Sequence, residues 1–203
     1  MLYFTNPSME SIMNRNFTKA LSRIVVFLFP LVLLSQDVYQ VDPVHSDASF
    51  KIRHLLSKTT GTFSKFEGSI IYYPDAIQKS SVVITIKANS VDTNNESRDN
   101  HLRGEDFFDI QKYPELKFVS TKIAAGSSSS EILVTGNFTL RGITKVITVP
   151  VTFLGSTQTP FKDVLAGFET LFKINRNEFG IVYGKGILGD EVEISLNIEA
   201  IKK

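Results

Sequence analysis

Near its C-terminus the sequence alternates without interruption, Val192, Ile194, Leu196, Ile198 and Ala200 being interleaved with Glu191, Glu193, Ser195, Asn197 and Glu199. Successive side chains of an extended chain point to opposite faces, so this pattern makes a strand with one apolar and one wet face. Similar runs fall at about 46–55, 62–73, 80–90, 115–124, 131–141, 143–154 and 164–175. With the first run they predict eight strands. The punctuation between them suits hairpins: Tyr73-Pro74-Asp75, the low-complexity stretch Gly126 to Ser130, the two-residue candidate Arg141-Gly142, and a loop from Gly155 to Pro160. The fold class expected is all-β, an antiparallel sheet of about eight strands with a short helical insert. Closing such a sheet removes its edges and leaves a barrel about wide enough for one small ligand. Strand patterning alone leaves a solid-cored β-sandwich open as the alternative.

The 203 residues suit one domain that buries its core without staples. The absence of Cys excludes disulfides, thiolate metal sites, a cysteine nucleophile and a lipidated N-terminal Cys. Arg15, Lys19 and Arg23 precede the apolar run Ile24 to Leu34, and Ser35 offers a small residue before Gln36, which is the layout of a signal peptide over residues 1–35, with Met13 as an alternative start. The run is about half the roughly 20 residues of a spanning helix, so no permanent membrane anchor is expected. The expected location is exported, periplasmic or extracellular, with residues 36–203 as the mature domain. Removing residues 1–35 takes Arg15, Lys19, Arg23 and Glu10 from totals of 22 basic and 21 acidic residues, which leaves 19 against 20. A nearly neutral chain without a basic stripe argues against nucleic acid or an anionic membrane surface as the main partner.

The β pattern breaks at Thr93. Thr93-Asn94-Asn95-Glu96 reads as a capping box and Gly104 as a stop, giving a short helix on which Arg98, His101 and Leu102 share a face. Such an insert sits over a barrel mouth as a lid or serves as a solvent-facing connector. Arg98 has two readings, contact with a ligand head group or a structural ion pair with Asp42 or Asp106. His54 shares strand parity with Phe50 and Ile52, opposite Lys51 and Arg53, and is expected to point inward as a ligand contact or a core histidine.

Several other patterns carry little. Gly184-Lys185-Gly186-Ile187-Leu188-Gly189 matches a dinucleotide fingerprint, but a strand follows it where a helix is required, so it reads as a glycine-rich turn. Asp92 to Glu96 begins like a calcium loop, yet Ser97 and Arg103 replace the turn glycine and the bidentate Glu. His45, His54 and His101 lack zinc-ligand spacing, no nucleophile elbow or P-loop is present, and neither a metal nor a cofactor is expected. Asn95-Glu96-Ser97 and Asn137-Phe138-Thr139 are formal glycosylation sequons.

Four separated motifs give the chain a family likeness: Val41-Asp42-Pro43-Val44-His45-Ser46 followed by Gly61-Thr62-Phe63; Arg98 to Phe118, with its aromatic pair and Pro-broken loop; Ile174 to Gly180; and Leu188-Gly189-Asp190. From about Tyr39 to Ala200 the sequence resembles the YceI-like family of exported lipid-binding proteins. Tyr39 stands where many members carry Trp, which keeps an aromatic with a polar handle. The resemblance implies an extended lipocalin-like barrel whose interior takes a long isoprenoid or another amphiphilic, fatty-acyl type lipid, with no catalysis, and it makes a homodimer a reasonable expectation. On that reading the inward apolar residues Phe50, Ile52, Phe66, Ile70, Phe118, Phe138, Phe168 and Phe172 line the pocket, and His54, Arg98 and His101 meet the head group. The rivals are an exported barrel enzyme with His54 or His101 as general base, and a solid-cored secreted module that binds a protein.

Overall fold

The computed structural model describes Met1 and residues 35–203, so the expected signal segment and its alternative start lie outside the described residues, apart from Met1 and Ser35. Eleven strands follow: β1 (Asp37–Val41), β2 (Asp47–His54), β3 (Ser57–Phe63), β4 (Phe66–Tyr72), β5 (Ser81–Lys87), β6 (Val91–Asp92), β7 (Glu115–Ala125), β8 (Glu131–Leu140), β9 (Ile143–Gln158), β10 (Val164–Asn175) and β11 (Leu188–Lys202), with one helix, α1 (Glu96–Arg103), between β6 and β7.

All ladders are antiparallel, and the pairings reduce the eleven strands to eight staves. β1 and β2 lie in succession along one edge of β11, with Val41 opposite Ala200 and Asp47 opposite Asn197. β4 pairs with β1 and β3 with β2, while β5 pairs with β4 and β6 with β3. Each couple is therefore one bent strand. From β5 the sheet runs through β7, β8, β9 and β10 to the other edge of β11, closing an up-and-down barrel.

The bends and bulges explain where alternation misled. The run at 62–73 breaks at Ser64-Lys65, and that at 80–90 turns through a 3-10 segment at Ala88–Ser90. β9 continues through the stretch expected to be a loop. Gly155, at φ +111°, absorbs a bulge opposite Gly167 and Phe168, and the turn comes later, at Thr159 to Asp163. A second bulge between Ser120 and Lys122 in β7 switches the inward set from Leu116 and Phe118 to Ile123. Arg141-Gly142 is the expected two-residue turn, with both φ positive as a type I′ hairpin requires.

Closure depends on the turn between β1 and β2. Passing along β11, this turn would leave the backbone of Glu199 unpaired. Instead the Ser46 hydroxyl donates to the Glu199 carbonyl (3.1 Å) and accepts from its N–H (3.0 Å), and the Asp42 N–H donates to the same carbonyl (2.9 Å). Asp42 fixes the turn itself. Its carboxylate accepts from the Val44 N–H (2.9 Å) and contacts His45 Nδ1 at 2.7 Å. The hydrogen bond to Asp42, then its charge, raises the pKa of His45 above the ordinary imidazole value, and the bonds from His45 and Val44 lower that of Asp42.

Two outcomes are expected. Ser46→Ala lowers stability by roughly 1–2 kcal/mol in urea unfolding, with an unchanged denaturant slope, because it removes two hydrogen bonds to one backbone unit. A raised histidine pKa contributes stability below the unfolded value of about 6.5 that is lost as pH rises through the folded value; a depressed Asp42 contributes above about 3.9 and is lost as pH falls through its folded value. The deficit of His45→Gln against the wild type is therefore largest between those limits and shrinks in alkali, as urea midpoints across pH will show.

Candidate functional site: an apolar cavity with a polar mouth

Every stave contributes inward residues to one cavity of about 580 Å³. Its wall is built from strand parity. Phe50 and Ile52 of β2 stand opposite Ile194 and Val192 of β11, which in turn stand opposite Phe172 and Ile174 of β10, and Phe118 of β7 faces Phe138 of β8. Glycines make room for two of these rings. A Cβ on Gly61 would lie 2.4 Å from the Phe50 ring, and one on Gly136 would lie 2.5 Å from the Phe118 ring. The two glycines thus give the rings a backbone surface to lie on. At the far end Tyr72, Phe153 and Phe168 pack with centroids 5.2 Å (Tyr72–Phe153) and 5.3 Å (Phe153–Phe168) apart.

The mouth is made by loops and by α1. His54, Arg98, His101, Tyr183 and Ile187 all line the cavity and also meet solvent, which sets the opening between the β2–β3 turn, α1 and the glycine turn before β11. Arg98, His101 and Leu102 share the helix face turned to the cavity, as their spacing predicted, so the helix is a lid and not a detached connector. Its cap differs from expectation. Asn95 is the N-cap, its Oδ1 accepting from the Arg98 N–H at 2.9 Å, while Thr93 is tied back by the buried carboxylate of Asp99, which accepts from its N–H (2.9 Å) and hydroxyl (2.5 Å). Arg98 forms neither proposed ion pair. Its guanidinium donates to the Thr93 hydroxyl and carbonyl, both at 2.7 Å, whereas Asp42 is engaged by His45 and Asp106 by His101. His101 meets Phe107 and Tyr183 edge to face, at 5.0 and 4.8 Å between centroids.

Arg176 holds this end together. It is buried, and its guanidinium donates to the carbonyls of Gly189 (2.8 Å), Ile181 (2.8 Å), Tyr183 (2.6 Å) and Leu188 (3.4 Å), with Asp190 at 3.6 Å. The fork geometry of Arg suits this convergence of carbonyls. Arg141 plays a smaller part, donating to the carbonyls of Gly180 and Glu105 and so linking the β8–β9 turn to both mouth loops. The glycine-rich stretch is a turn, with Gly184 and Gly186 at positive φ.

Of the residues expected to line a pocket, Phe50, Ile52, Ile70, Phe118, Phe138, Phe168 and Phe172 are at the wall, as are His54, Arg98 and His101. Phe66 is not. It has the inward parity of β4 but sits at the bend from β3, opposite Ile86, and packs into the buried cluster instead. Parity could not find Phe107, Tyr183 or Arg176, which lie outside the strands; the aromatic pair and the Ile174 to Gly180 motif were the signals for Phe107 and Arg176, and Tyr183 had none. Among the described residues no buried side-chain nitrogen or oxygen lacks a partner, and even the inward Thr170 hydroxyl donates to the Pro150 carbonyl at 2.6 Å. The interior wall is mainly apolar, and the imidazole and guanidinium groups of His54, Arg98 and His101 stand at the mouth. Asp42, His45 and Glu199 set three ligand-type atoms within 4.8 Å, but they form the closure turn, with His45 largely exposed.

The YceI-like domain profile matches residues 39–200. This chain belongs to the YceI-like family. It is 38% identical over 168 residues to a UPF0312 protein of Pseudomonas paraeruginosa, covering 81% of this chain and 87% of that one, and 34% identical to the protein YceI of Salmonella arizonae over the same shares. Among solved structures it resembles Burkholderia cenocepacia BcnA (TM-score 0.72, 28% identity, 78% of this chain and 98% of that one) and the YceI protein of Campylobacter jejuni (TM-score 0.67, 31% identity, 80% and 96%). A polyisoprenoid binding domain from Saccharophagus degradans shares the fold at 15% identity (TM-score 0.59, 84% and 99%).

Arg176→Met is expected to loosen the mouth while sparing the far end. Each carbonyl left without a donor and out of reach of water costs about 1–3 kcal/mol, so hydrogen exchange should rise across residues 176–190 and not in β8.

Proposed function

We propose that this protein is exported and binds one long isoprenoid or other amphiphilic lipid in its barrel, for carriage, storage or sequestration, without turning it over. The observation that carries this reading is the mainly apolar cavity of about 580 Å³, a size typical of small-ligand pockets, with His54, Arg98 and His101 at its mouth. Each methylene withdrawn from water contributes about 0.8 kcal/mol, so affinity comes from the tail. His54, Arg98 and His101 then orient the head group. The fold shared with the polyisoprenoid binding domain of Saccharophagus degradans is compatible with this, but the reading rests on the lining of this chain. Export rests on the charge and apolar pattern of residues 15–35. A homodimer remains the expectation drawn from the family.

The mainly apolar wall favours binding over the enzyme reading, which requires a reacting bond held beside His54 or His101. Against the solid-core reading stands the cavity itself.

Protein purified without detergent is expected to retain a lipid in roughly stoichiometric amount, seen as a mass difference between native and denaturing spectra. Ile194→Trp, on the cavity wall, should reduce uptake of isoprenoid, fatty-acid and fatty-amide probes while the protein stays folded. Phe138→Arg should abolish uptake and destabilise by several kcal/mol, because its charge is buried without a partner, whereas Thr139→Arg on the outer face should do neither. A folded protein that carries nothing and takes up none of these probes removes the binding assignment.

A further inference from the structure

The turn between β2 and β3 consists of Leu55 and Leu56 alone, since His54 pairs with Ser57. Leu55 has φ +48° and Leu56 does not have a positive φ. A positive φ at the first of two turn residues is the pattern of a type II′ hairpin, where glycine is the favoured occupant. Leucine there is strained, and Leu56 is 96% exposed at the tip. Neither folding nor solubility explains two leucines in this turn.

The turn is not isolated. The Leu55 N–H donates to the Ile187 carbonyl (2.9 Å), joining it to the glycine turn, where Val182, Tyr183 and Ile187 are each about half exposed or more. Tyr183 and Ile187 also line the cavity, so the apolar interior continues over the lip onto the outer surface. Phe161, exposed in the β9–β10 turn, has no such continuity with the cavity. Cationic side chains flank the rim at Arg53, Lys58 and Lys185, all exposed, while the nearby carboxylates of Asp190 and Glu191 are met by Arg176 and Lys173.

We infer that this rim docks on an anionic bilayer surface, Leu55, Leu56, Val182 and Ile187 entering the interfacial region and Arg53, Lys58 and Lys185 meeting the lipid head groups, so that ligand passes between membrane and cavity without crossing water. The inference rests on the proposed lipid binding. Its logic is that an apolar ligand partitions into bilayers, and a carrier whose lip is continuous with the bilayer surface avoids re-exposing every methylene during transfer. Interfacial binding by apolar side chains ringed with Lys and Arg is strengthened by anionic lipid and weakened by salt.

The variant Leu55→Gly/Leu56→Asn separates docking from folding, because it gives the turn residues its geometry favours and should be at least as stable as the wild type. Both proteins are compared in the form in which the cell accumulates them. A fluorescent geranylgeranyl ester is offered from two donors, a cyclodextrin complex and vesicles of phosphatidylcholine with phosphatidylglycerol. The expected result is equal filling from cyclodextrin, with uptake from vesicles slowed by more than about tenfold in the variant, as the loss of two inserted leucines implies. High salt or omission of phosphatidylglycerol should slow the wild type towards the variant. Equal rates from vesicles overturn docking and leave lipid binding intact. No uptake by the wild type from either donor overturns the binding reading and the inference with it. A dimer in sedimentation that the variant abolishes while vesicle uptake is unchanged assigns the rim to a second copy of the chain instead.

Discussion

The barrel exists because one long strand, β11, has two satisfied edges. One edge is given wholly to β10, and the other is divided between β1 and β2, which approach it at different heights. A divided edge normally leaves an unpaired backbone unit at the seam. Here the unit is Glu199, and the Ser46 hydroxyl serves as both donor and acceptor for it. The seam lies within Asp42 to Ser46, and the pairing of Asp42 with His45 holds that turn in shape. Without this closure the sheet would present edges, and its inward residues would have to pack on one another.

Closure fixes a circumference, and side-chain choice decides whether the enclosed space is filled. The wall is rich in Phe, which would fill a barrel of this size if the rings pointed to its axis. Gly61 and Gly136 let the rings of Phe50 and Phe118 lie along the wall instead. Rings lodged over these glycines bury area against the neighbouring backbone and leave the axis open. Dispersion and hydrophobic burial are thus retained at the wall, and the interior keeps room for a flexible chain.

What the sequence made legible follows from the same geometry. Period-two alternation located seven of the wall residues and His54, because strand parity alone decides which way they face. It overextended at Phe66, since a bent strand keeps its parity but leaves the cavity, and it missed β1 and the first part of β3, where Ser57, Lys58, Thr59, Thr60 and Gly61 carry no apolar side chain to mark a face. The bulges at Ser120 and Leu154 have no signature in a hydropathy pattern, because one extra residue shifts the phase without altering composition. The mouth was least legible. Tyr183, Phe107 and Arg176 come from segments without a period, and Arg176 acts on backbone carbonyls whose convergence depends on how the single connection from β10 to β11 is folded.

The two ends of the molecule therefore follow different physical rules. The wall is specified by a repeating pattern and tolerates exchange of one apolar residue for another of similar volume, since burial depends on area. The mouth is specified by single groups, Arg176 on its four carbonyls, Asp99 on Thr93 and Arg98 on Thr93, none of which has a substitute nearby. An aliphatic tail asks only for volume and dryness, which a variable wall supplies. On the proposed lipid-binding reading, selectivity then falls to the mouth, where a change of one polar side chain would alter what head group is met while the barrel beneath it stays the same.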